Sequence, residues 1–287
     1  MNTVSTINES LPETERPPFS ENEIIHILKE QYDLCCSVKE LPGERDRNYL
    51  AQDKIGDLYV LKISNASEEL DYLEIQNQAL ECTAKLFDHG RTPIVIPDLN
   101  GESLSRTLSP SKISYWTRLV KFVDGIPMAQ YRPHTKDFLN EIGIMCGKIT
   151  KALQEIPIQK KSQRHLWEMH NAKETLQLYL QWIDDREMRS LIIHSLELYV
   201  ELLNPLEKEL RRGWIHNDYN DYNILVNPNL NTQPSLGLID FGDMTDSFIA
   251  AEPAVACAYA MLNKTEPLHA AVHLINGFHK NFPLKEK

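Results

Sequence analysis

The sequence is most informative at WIHNDYNDYNIL, residues 214–225, and at LIDFGD, residues 238–243. Each stretch contains a short apolar run that is typical of a β-strand. A turn with Asn-Pro-Asn at 227–229 lies between the runs and favours an antiparallel hairpin. Asn223 stands directly before the first strand, and Asp240 stands directly after the second. Because neighbouring strands lie about 4.8 Å apart, the two side chains are expected to converge at one end of the hairpin.

These two side chains predict a metal site, since an amide oxygen and a carboxylate suit Mg²⁺ at about 2.0–2.1 Å, with phosphate oxygens and water completing the shell. Asp218 lies on the loop that leads into the hairpin, five residues before Asn223. It is predicted to orient and deprotonate a hydroxyl beside the metal. The alternative is a polar turn, which explains Asn220 and Asp221 but not the joint spacing with Asp240.

The spacing matches the HxDxxxxN and DFG arrangement of kinase-type phosphotransferases, with His216, Asp218, Asn223 and Asp240 at the matching positions. The sequence resembles the aminoglycoside phosphotransferase/choline kinase superfamily. Its HNDYNDYNIL, ERDRNYLA (44–51) and YVLKIS (59–64) segments are most similar to the hydroxylysine kinase-like branch. The resemblance extends from about residue 35 to the end of the sequence. His216 is expected to form structural hydrogen bonds rather than to act as an acid or a base.

The fold class predicted from these patterns is α+β. The resemblance implies a two-lobed, protein-kinase-like fold with a small antiparallel-sheet N-lobe and a mostly helical C-lobe. Residues 1–20 are polar and contain three prolines, which predicts a flexible leader. A nucleotide-binding lobe is expected over 21–124, and a catalytic and substrate lobe over 125–287.

The resemblance also implies residues for binding ATP or GTP. Lys62 matches the strand lysine that contacts the α and β phosphates, and Glu74 matches the helix glutamate that pairs with that lysine. Glu81 is the alternative for this role, because it lies seven residues after Glu74 and therefore on a similar side of the predicted helix. Val60 lies two residues before Lys62 on the same strand face and is expected over the nucleotide base.

The segment from Val120 to Val123 matches the family's hinge, so Lys121 and Val123 are expected to offer backbone groups to the base. Protein kinases place a glycine-rich loop over the phosphates, but this chain has a single glycine at the matching position, Gly43. Fewer glycines leave fewer free amides to hold phosphates. Asn48 is therefore expected to supply a side-chain contact instead, and the departure argues against a protein substrate.

The composition excludes several classes of protein. The chain has 287 residues, 30 Lys and Arg against 41 Asp and Glu, and a net charge of −11. Such a balance disfavours a nucleic-acid-binding surface and favours a cationic or zwitterionic small molecule. The sequence contains no run of eighteen apolar residues, so no membrane-spanning helix is predicted. The five cysteines and the absence of a signal-like N-terminal segment predict a cytoplasmic location.

The predicted function is a Mg²⁺-dependent kinase that moves the γ-phosphoryl group of ATP or GTP to the hydroxyl of a small amine. The resemblance implies hydroxylysine or a similar amino alcohol as the acceptor. Acidic residues near the motif, Asp221, Asp243 and Glu252, are candidates for holding an ammonium group, although solvated or capping roles are equally compatible with the sequence. Two alternatives remain: a non-catalytic kinase-like binding module and an aminoglycoside-type antibiotic phosphotransferase.

Overall fold

The computed structural model describes residues 16–43, 46–87, 90–158, 167–203, 205–228 and 234–285. Most of the predicted leader, residues 1–15, lies outside the described residues. The chain divides into two compact units, of which the first comprises Met1–Glu74 and Val95–Phe122 and the second comprises Ile75–Ile94 and Val123–Lys287.

The first unit is built on an antiparallel sheet in the order β1-β2-β3-β6-β4, with β5 paired to β6. Helix α1 begins after Ser20, whose side chain forms a capping box with Glu23 that satisfies free amides of the first turn. The elements are α1 (Glu21–Tyr32), β1 (Cys36–Leu41), β2 (Arg47–Asp53), β3 (Leu58–Ile63), β4 (Val95–Ile96), β5 (Ser105–Leu108) and β6 (Ser114–Lys121). Helix α2 (Leu70–Ala84) starts in this unit and ends in the second.

Alternation along the strands separates the two faces of this sheet. Leu61 and Ile63 of β3 are buried against α1, in a core that also contains Tyr49 of β2. Asn48 pairs with Lys62 across β2 and β3, and Val60 precedes Lys62 by two residues. Because successive side chains point to opposite faces, Asn48, Val60 and Lys62 share the face that α1 does not cover.

The second unit contains five whole helices and five short strands among its described residues. The helices are α3 (Lys136–Leu153), α4 (Ala172–Tyr179), α5 (Arg186–Leu203), α6 (Ala251–Met261) and α7 (Pro267–Asn281). The strands are β7 (Ile126–Pro127), β8 (Arg212–Ile215), β9 (Ile224–Asn227), β10 (Ser235–Leu238) and β11 (Thr245–Phe248). Strands β10, β9 and β7 form one antiparallel sheet, and β8 pairs with β11 in another.

The core of this unit depends on the close approach of α3 and α7. A Cβ atom at Gly143 would overlap the Leu274 carbonyl oxygen, and one at Gly277 would overlap the Asn140 carbonyl oxygen. Glycine therefore lets the two backbones touch where any larger residue would separate the helices. This pairing brings α7 against the helix that precedes the candidate active site.

The helix boundaries of the second unit agree in part with those that the sequence predicts. A helix over 187–212 that is kinked or broken near Pro205 is expected, and α5 ends at Leu203, two residues before this proline. A further helix is expected over about 165–182, whose first two residues lie outside the described ones, and the structure has only α4 with short 3₁₀ turns in the remainder. Residues 75–94 group with the second unit rather than the first, since the Leu238 amide donates to the Arg91 carbonyl at 2.8 Å. No helix among the described ranges combines the length and apolarity needed to cross a membrane.

Candidate active site

The predicted hairpin is formed by β9 and β10, with Ile224 opposite Leu238. The ladder extends one step further, because the Ile239 amide donates to the Asn223 carbonyl at 3.0 Å. Asn223 and Asp240 therefore lie at the same end of the hairpin, as the sequence predicts. Asp240 has a φ of 62°, a left-handed conformation that non-glycine residues adopt at a cost and that is frequent at functional sites.

Asp218 is held beside Asn223 by direct hydrogen bonds. The Asn223 side-chain nitrogen donates to Asp218 Oδ2 at 2.6 Å and to the Asp218 carbonyl at 3.1 Å. Asn220 donates to the other carboxylate oxygen, Oδ1, at 2.8 Å. Both oxygens of Asp218 are thus oriented by amide groups within its own loop.

Asn220 is the residue of this loop whose role the sequence analysis missed. Its side-chain oxygen accepts from the Tyr222 amide at 2.8 Å and from the Asn223 amide at 2.9 Å, while its nitrogen binds Asp218. A turn-forming Asn that bonds amides two and three residues ahead is a recognised local pattern. That pattern indicates that Asn220 organises residues 216–223, the predicted catalytic loop.

The His216 ring joins the loop to the hairpin as a structural element. Its Nδ1 accepts from the Asp218 amide at 3.2 Å, so the ring proton resides on Nε2, which lies 3.1 Å from the Ile239 carbonyl. The imidazole is fully buried and meets the Phe241 ring edge-on at 4.7 Å between centroids. Both nitrogens are engaged by the backbone, which agrees with the structural role expected for His216.

Glu252, at the start of α6, does not face a substrate, which corrects the sequence-based expectation. The side chain has no solvent exposure. Its two carboxylate oxygens accept from the His216 amide at 2.8 Å and the Asn217 amide at 2.9 Å. Burial raises the pKa of this carboxyl to about 7 against the lowering effect of these two bonds. Glu252 therefore holds the backbone at the start of the catalytic loop, where Asn217 has a φ of 66°.

The electrostatics of the site favour a bound cation. Burial raises the pKa of Asp218, the charges of Asp243 and Asp240 raise it further, and the hydrogen bonds from Asn220 and Asn223 oppose the increase. Three carboxylates are therefore close enough to repel one another. A positive ion or a cationic ligand would relieve this repulsion.

The donor atoms fit a magnesium ion. The Asn223 amide nitrogen is committed to Asp218, and its Oδ1 accepts no hydrogen bond from the residues that the structure describes. Asp240 is exposed on the adjoining turn, and both groups offer hard oxygen ligands. Clusters of three or more His, Cys, Asp or Glu side chains suited to a metal do not occur among the described residues. Two protein ligands are nevertheless sufficient when substrate phosphates and water supply the others.

The remaining acidic candidates, Asp221 and Asp243, are both partly exposed. The Asp221 carbonyl accepts from the Ala129 amide at 2.9 Å, which ties the catalytic loop to the segment that precedes α3. The side chains of both residues stay accessible to a small ligand.

In the first unit, the structure brings Asn48, Val60 and Lys62 onto one face of the sheet. Among the described residues, none donates a hydrogen bond to the buried side-chain oxygen of Asn48. The Lys121 side chain is used elsewhere, since its Nζ lies 5.6 Å from the centroid of the Tyr59 ring and 3.7 Å from an Asp57 carboxylate oxygen. Only the backbone of Lys121 is therefore suited to the hinge role.

The other residues that are expected to serve nucleotide binding lie outside this sheet. Val123 is buried at the start of the second unit's main segment. Glu74 is exposed on α2, and so is Glu81, which lies about two helical turns further along the same helix. The pairing of Glu74 with Lys62 stays a prediction.

Comparisons with known proteins show similarity to kinases of small molecules. Hydroxylysine kinase of Danio rerio is 26% identical over 285 residues, which cover 94% of this chain and 78% of that protein. Among solved structures, an amicoumacin kinase in complex with AMP-PNP and Ca²⁺ has a TM-score of 0.68 at 15% identity, covering 93% of this chain and 79% of that one. A microcompartment-associated aminopropanol kinase has a TM-score of 0.66 at 16% identity, covering 92% and 82%.

The structural likeness confirms the predicted α+β kinase-like fold, with an antiparallel sheet toward the N-terminus and a helical C-terminal part. The profile of the phosphotransferase enzyme family, APH, matches residues 37–280, which include the sheet, the catalytic loop and the hairpin. The predicted phosphotransferase class is thus confirmed. The chain belongs to the phosphotransferase enzyme family.

Proposed function

We propose that this protein transfers the γ-phosphoryl group of ATP or GTP to the hydroxyl of a small amino-bearing molecule, with hydroxylysine or a similar hydroxylated amino acid as the acceptor. The observation that carries the proposal is the hydrogen-bonded pair of Asp218 and Asn223 beside Asp240. Its residues occupy the positions that phosphoryl transfer requires for a base and a metal site. The similarity to hydroxylysine kinases supports the acceptor.

Asp218 acts as the base in this mechanism. Its carboxylate is oriented by Asn220 and Asn223, so that it receives the proton of the acceptor hydroxyl as the oxygen attacks the γ-phosphorus. The phosphorus–oxygen bond to the nucleoside diphosphate breaks as the new bond forms. Asn223 and Asp240 would hold Mg²⁺, which when bound neutralises charge on the phosphates. Because the transition state is loose, positioning and charge neutralisation provide most of the catalysis.

The first unit binds the nucleotide in this proposal. Lys62 contacts the phosphates and Glu74 orients Lys62. Asn48 donates a side-chain hydrogen bond to the phosphates, and the exposed face around Val60 contacts the base. The hinge contributes backbone groups of Lys121 and Val123.

The acceptor's ammonium group is assigned to Asp221 and Asp243, because both carboxylates are partly exposed and belong to segments next to Asp218. The same negative charge would accept an aminoglycoside, so that class of acceptor is the competing candidate. No nucleic acid or membrane partner is proposed, and a cytoplasmic location stays a prediction.

The proposal is tested by a steady-state assay of nucleoside diphosphate release. Hydroxylysine, 1-amino-2-propanol and an aminoglycoside should each be tried with ATP and with GTP. We expect turnover with hydroxylysine that requires Mg²⁺ and is lost in the Asp218→Asn variant. Asp137→Asn, an exposed change on the first turn of α3, is the matched control. Turnover confined to the aminoglycoside would select the competing function, and magnesium-independent nucleotide binding without turnover would indicate a non-catalytic module.

A further inference from the structure

Three basic side chains converge in the second unit, next to the catalytic loop. The His134 ring lies between two cations, with Lys264 Nζ 2.9 Å from Nδ1 and an Arg132 guanidinium nitrogen 3.1 Å from Nε2. The ring also stacks on Phe138 at 5.2 Å between centroids, which holds it in place. Arg132 and Lys264 are therefore fixed on opposite sides of one imidazole, although 132 residues separate them in the chain.

The described part of the chain supplies no anion to this cluster. Among the described residues, neither Arg132 nor Lys264 forms an ion pair with a carboxylate, although the chain has a net charge of −11. One Arg132 nitrogen donates to backbone carbonyls, including those of Met128 and Ala129. The other guanidinium nitrogens have no partner within the described part of the chain.

The titration behaviour of the cluster is consistent with uncompensated positive charge. Burial lowers the pKa of His134, and the charges of Lys264 and Arg132 lower it further. Burial and the charge of Arg132 likewise lower the pKa of Lys264. Two like charges held this close repel each other, and a bound anion would remove that repulsion.

Two connections place the cluster at the edge of the catalytic loop. Arg132 binds the Ala129 carbonyl, and the Ala129 amide in turn donates to the Asp221 carbonyl at 2.9 Å. On the other side, Lys264 follows α6. Burial and the charges of Asp218 and Asp221 raise the pKa of Tyr259 on this helix, so α6 lies near the acidic residues of the loop. A basic cluster therefore adjoins an acidic loop, the arrangement that a zwitterion needs for binding both of its ends.

We propose that Arg132 and Lys264 bind the carboxylate of an amino acid acceptor and so select amino acids over amino alcohols and simple amines. The proposal rests on the proposed function, which it deepens by naming residues that determine specificity. The guanidinium and the ammonium supply charge-assisted hydrogen bonds to the carboxylate, while neutral His134 spaces the two groups. The acceptor's ammonium group faces the acidic loop, and its hydroxyl extends toward Asp218.

The test compares two ligands that differ only in the carboxylate, L-lysine and 1,5-diaminopentane. Neither carries a hydroxyl, so binding is measured by calorimetry or ligand-detected NMR without turnover, with and without AMP-PNP and Mg²⁺. We expect the wild type to bind L-lysine at least about tenfold more tightly than the diamine, as a charge-assisted hydrogen bond implies. Equal affinity for the two ligands, or no binding of L-lysine, would overturn the proposal.

The variants locate the contact. Arg132→Ala and Lys264→Ala should each remove most of the preference for L-lysine, and Arg132→Lys should restore part of it. Lys148→Met, an exposed change on α3, should leave the preference unaltered. Thermal unfolding of each variant checks that it is folded, and the ligand comparison in the wild type holds even if a variant is not.

Two further outcomes distinguish carboxylate binding from phosphate binding and from the proposed function itself. If the variants weaken binding of AMP-PNP or inorganic phosphate but not of L-lysine, the cluster binds phosphate and the carboxylate assignment is wrong. If L-lysine binds through Arg132 and Lys264 but hydroxylysine is not phosphorylated, the proposed acceptor fails while the carboxylate site stands.

Discussion

Glu252→Gln is the substitution that separates stability from catalysis most clearly. The carboxylate accepts one hydrogen bond at each oxygen, from the amides of His216 and Asn217. Glutamine has nearly the same shape but only one acceptor oxygen, so its NH₂ group must face the second amide. One buried N–H is then left without a partner, at a cost of about 1–3 kcal/mol.

The wild-type residue carries a penalty of its own. Its pKa of about 7 in the folded protein, against an ordinary value of 4.5, corresponds to about 3 kcal/mol when the group is ionised. Glutamine avoids this penalty. At pH 8 the two effects nearly cancel, so the free energy of unfolding should be similar in the two proteins. At pH 5 wild-type Glu252 is protonated and mostly free of the penalty. Its hydroxyl oxygen can still accept from the second amide, which the glutamine NH₂ cannot do, so the variant should be less stable by up to about 1–3 kcal/mol.

The direction of the pH effect follows from proton binding. Between pH 4.5 and 7 the folded state holds more of the Glu252 proton than the unfolded state. The stability contributed by this group is therefore fully present below pH 4.5 and is lost as the pH rises through 7. Other titrating groups are common to both proteins, so the difference between the two unfolding curves reports on Glu252 together with its interaction with the charge of Asp218.

The assay combines urea unfolding at pH 5 and pH 8 with kcat at pH 8. We expect kcat of Glu252→Gln to decrease about 10- to 100-fold, because the backbone that carries Asp218 loses one of its two anchors. Glu209→Gln, an exposed change, is the matched control. A stability difference that is the same at both pH values, or kcat within twofold of the wild type, would refute the anchoring role of Glu252.

Three further results are expected. Asp218→Asn should reduce kcat by about 10²- to 10⁴-fold while nucleotide binding, measured by thermal shift, is retained, since the variant removes the base but not the phosphate contacts. Asp240→Asn should raise the Mg²⁺ concentration for half-maximal turnover about tenfold or more, and chelation of the metal should abolish turnover in the wild type. Gly143→Ala should lower the free energy of unfolding by about 1–3 kcal/mol in urea, because a Cβ atom would overlap the Leu274 carbonyl.

Each expectation has its own control and contrary result. Unchanged kcat in Asp218→Asn would remove the base from the mechanism, with Asp137→Asn as the control. A magnesium titration of Asp240→Asn that coincides with the wild-type curve would exclude Asp240 as a ligand. Lys148→Ala, on the same helix as Gly143 but exposed, should leave stability nearly unchanged, and equal stability of Gly143→Ala would show that α3 and α7 can separate without cost.

The candidate site was predictable from sequence where its parts are local. Asp218 and Asn223 are five residues apart on one loop, and the turn chemistry of Asn220 fixes their geometry over that distance. Asp240 is reached through a hairpin whose two strands are visible as short apolar runs. A strand and a turn restrict the chain so strongly that spacing alone indicates which side chains meet.

Residues that meet across long stretches of chain were not predictable in this way. The position of Glu252 next to the motif suggested a substrate contact, but α6 brings it under His216 and Asn217, 35 or more residues earlier in the chain. The helix boundaries after α3 also depended on context, since the helix expected over about 165–182 is replaced in its described part by α4 with short 3₁₀ turns. Amphipathic spacing tells which side of a helix is apolar but not which neighbour covers it.

The sequence by itself therefore indicated the phosphotransferase class and the α+β architecture, and it predicted which residues serve as base and metal ligands, because that prediction depends on short spacings within a loop and a hairpin. Tertiary structure alone decided that Glu252 anchors the backbone, that Gly143 allows α3 to touch α7, and that Arg132 and Lys264 meet at His134. These relations arise from packing between distant segments, where burial and close contact select the partner and no local pattern records it.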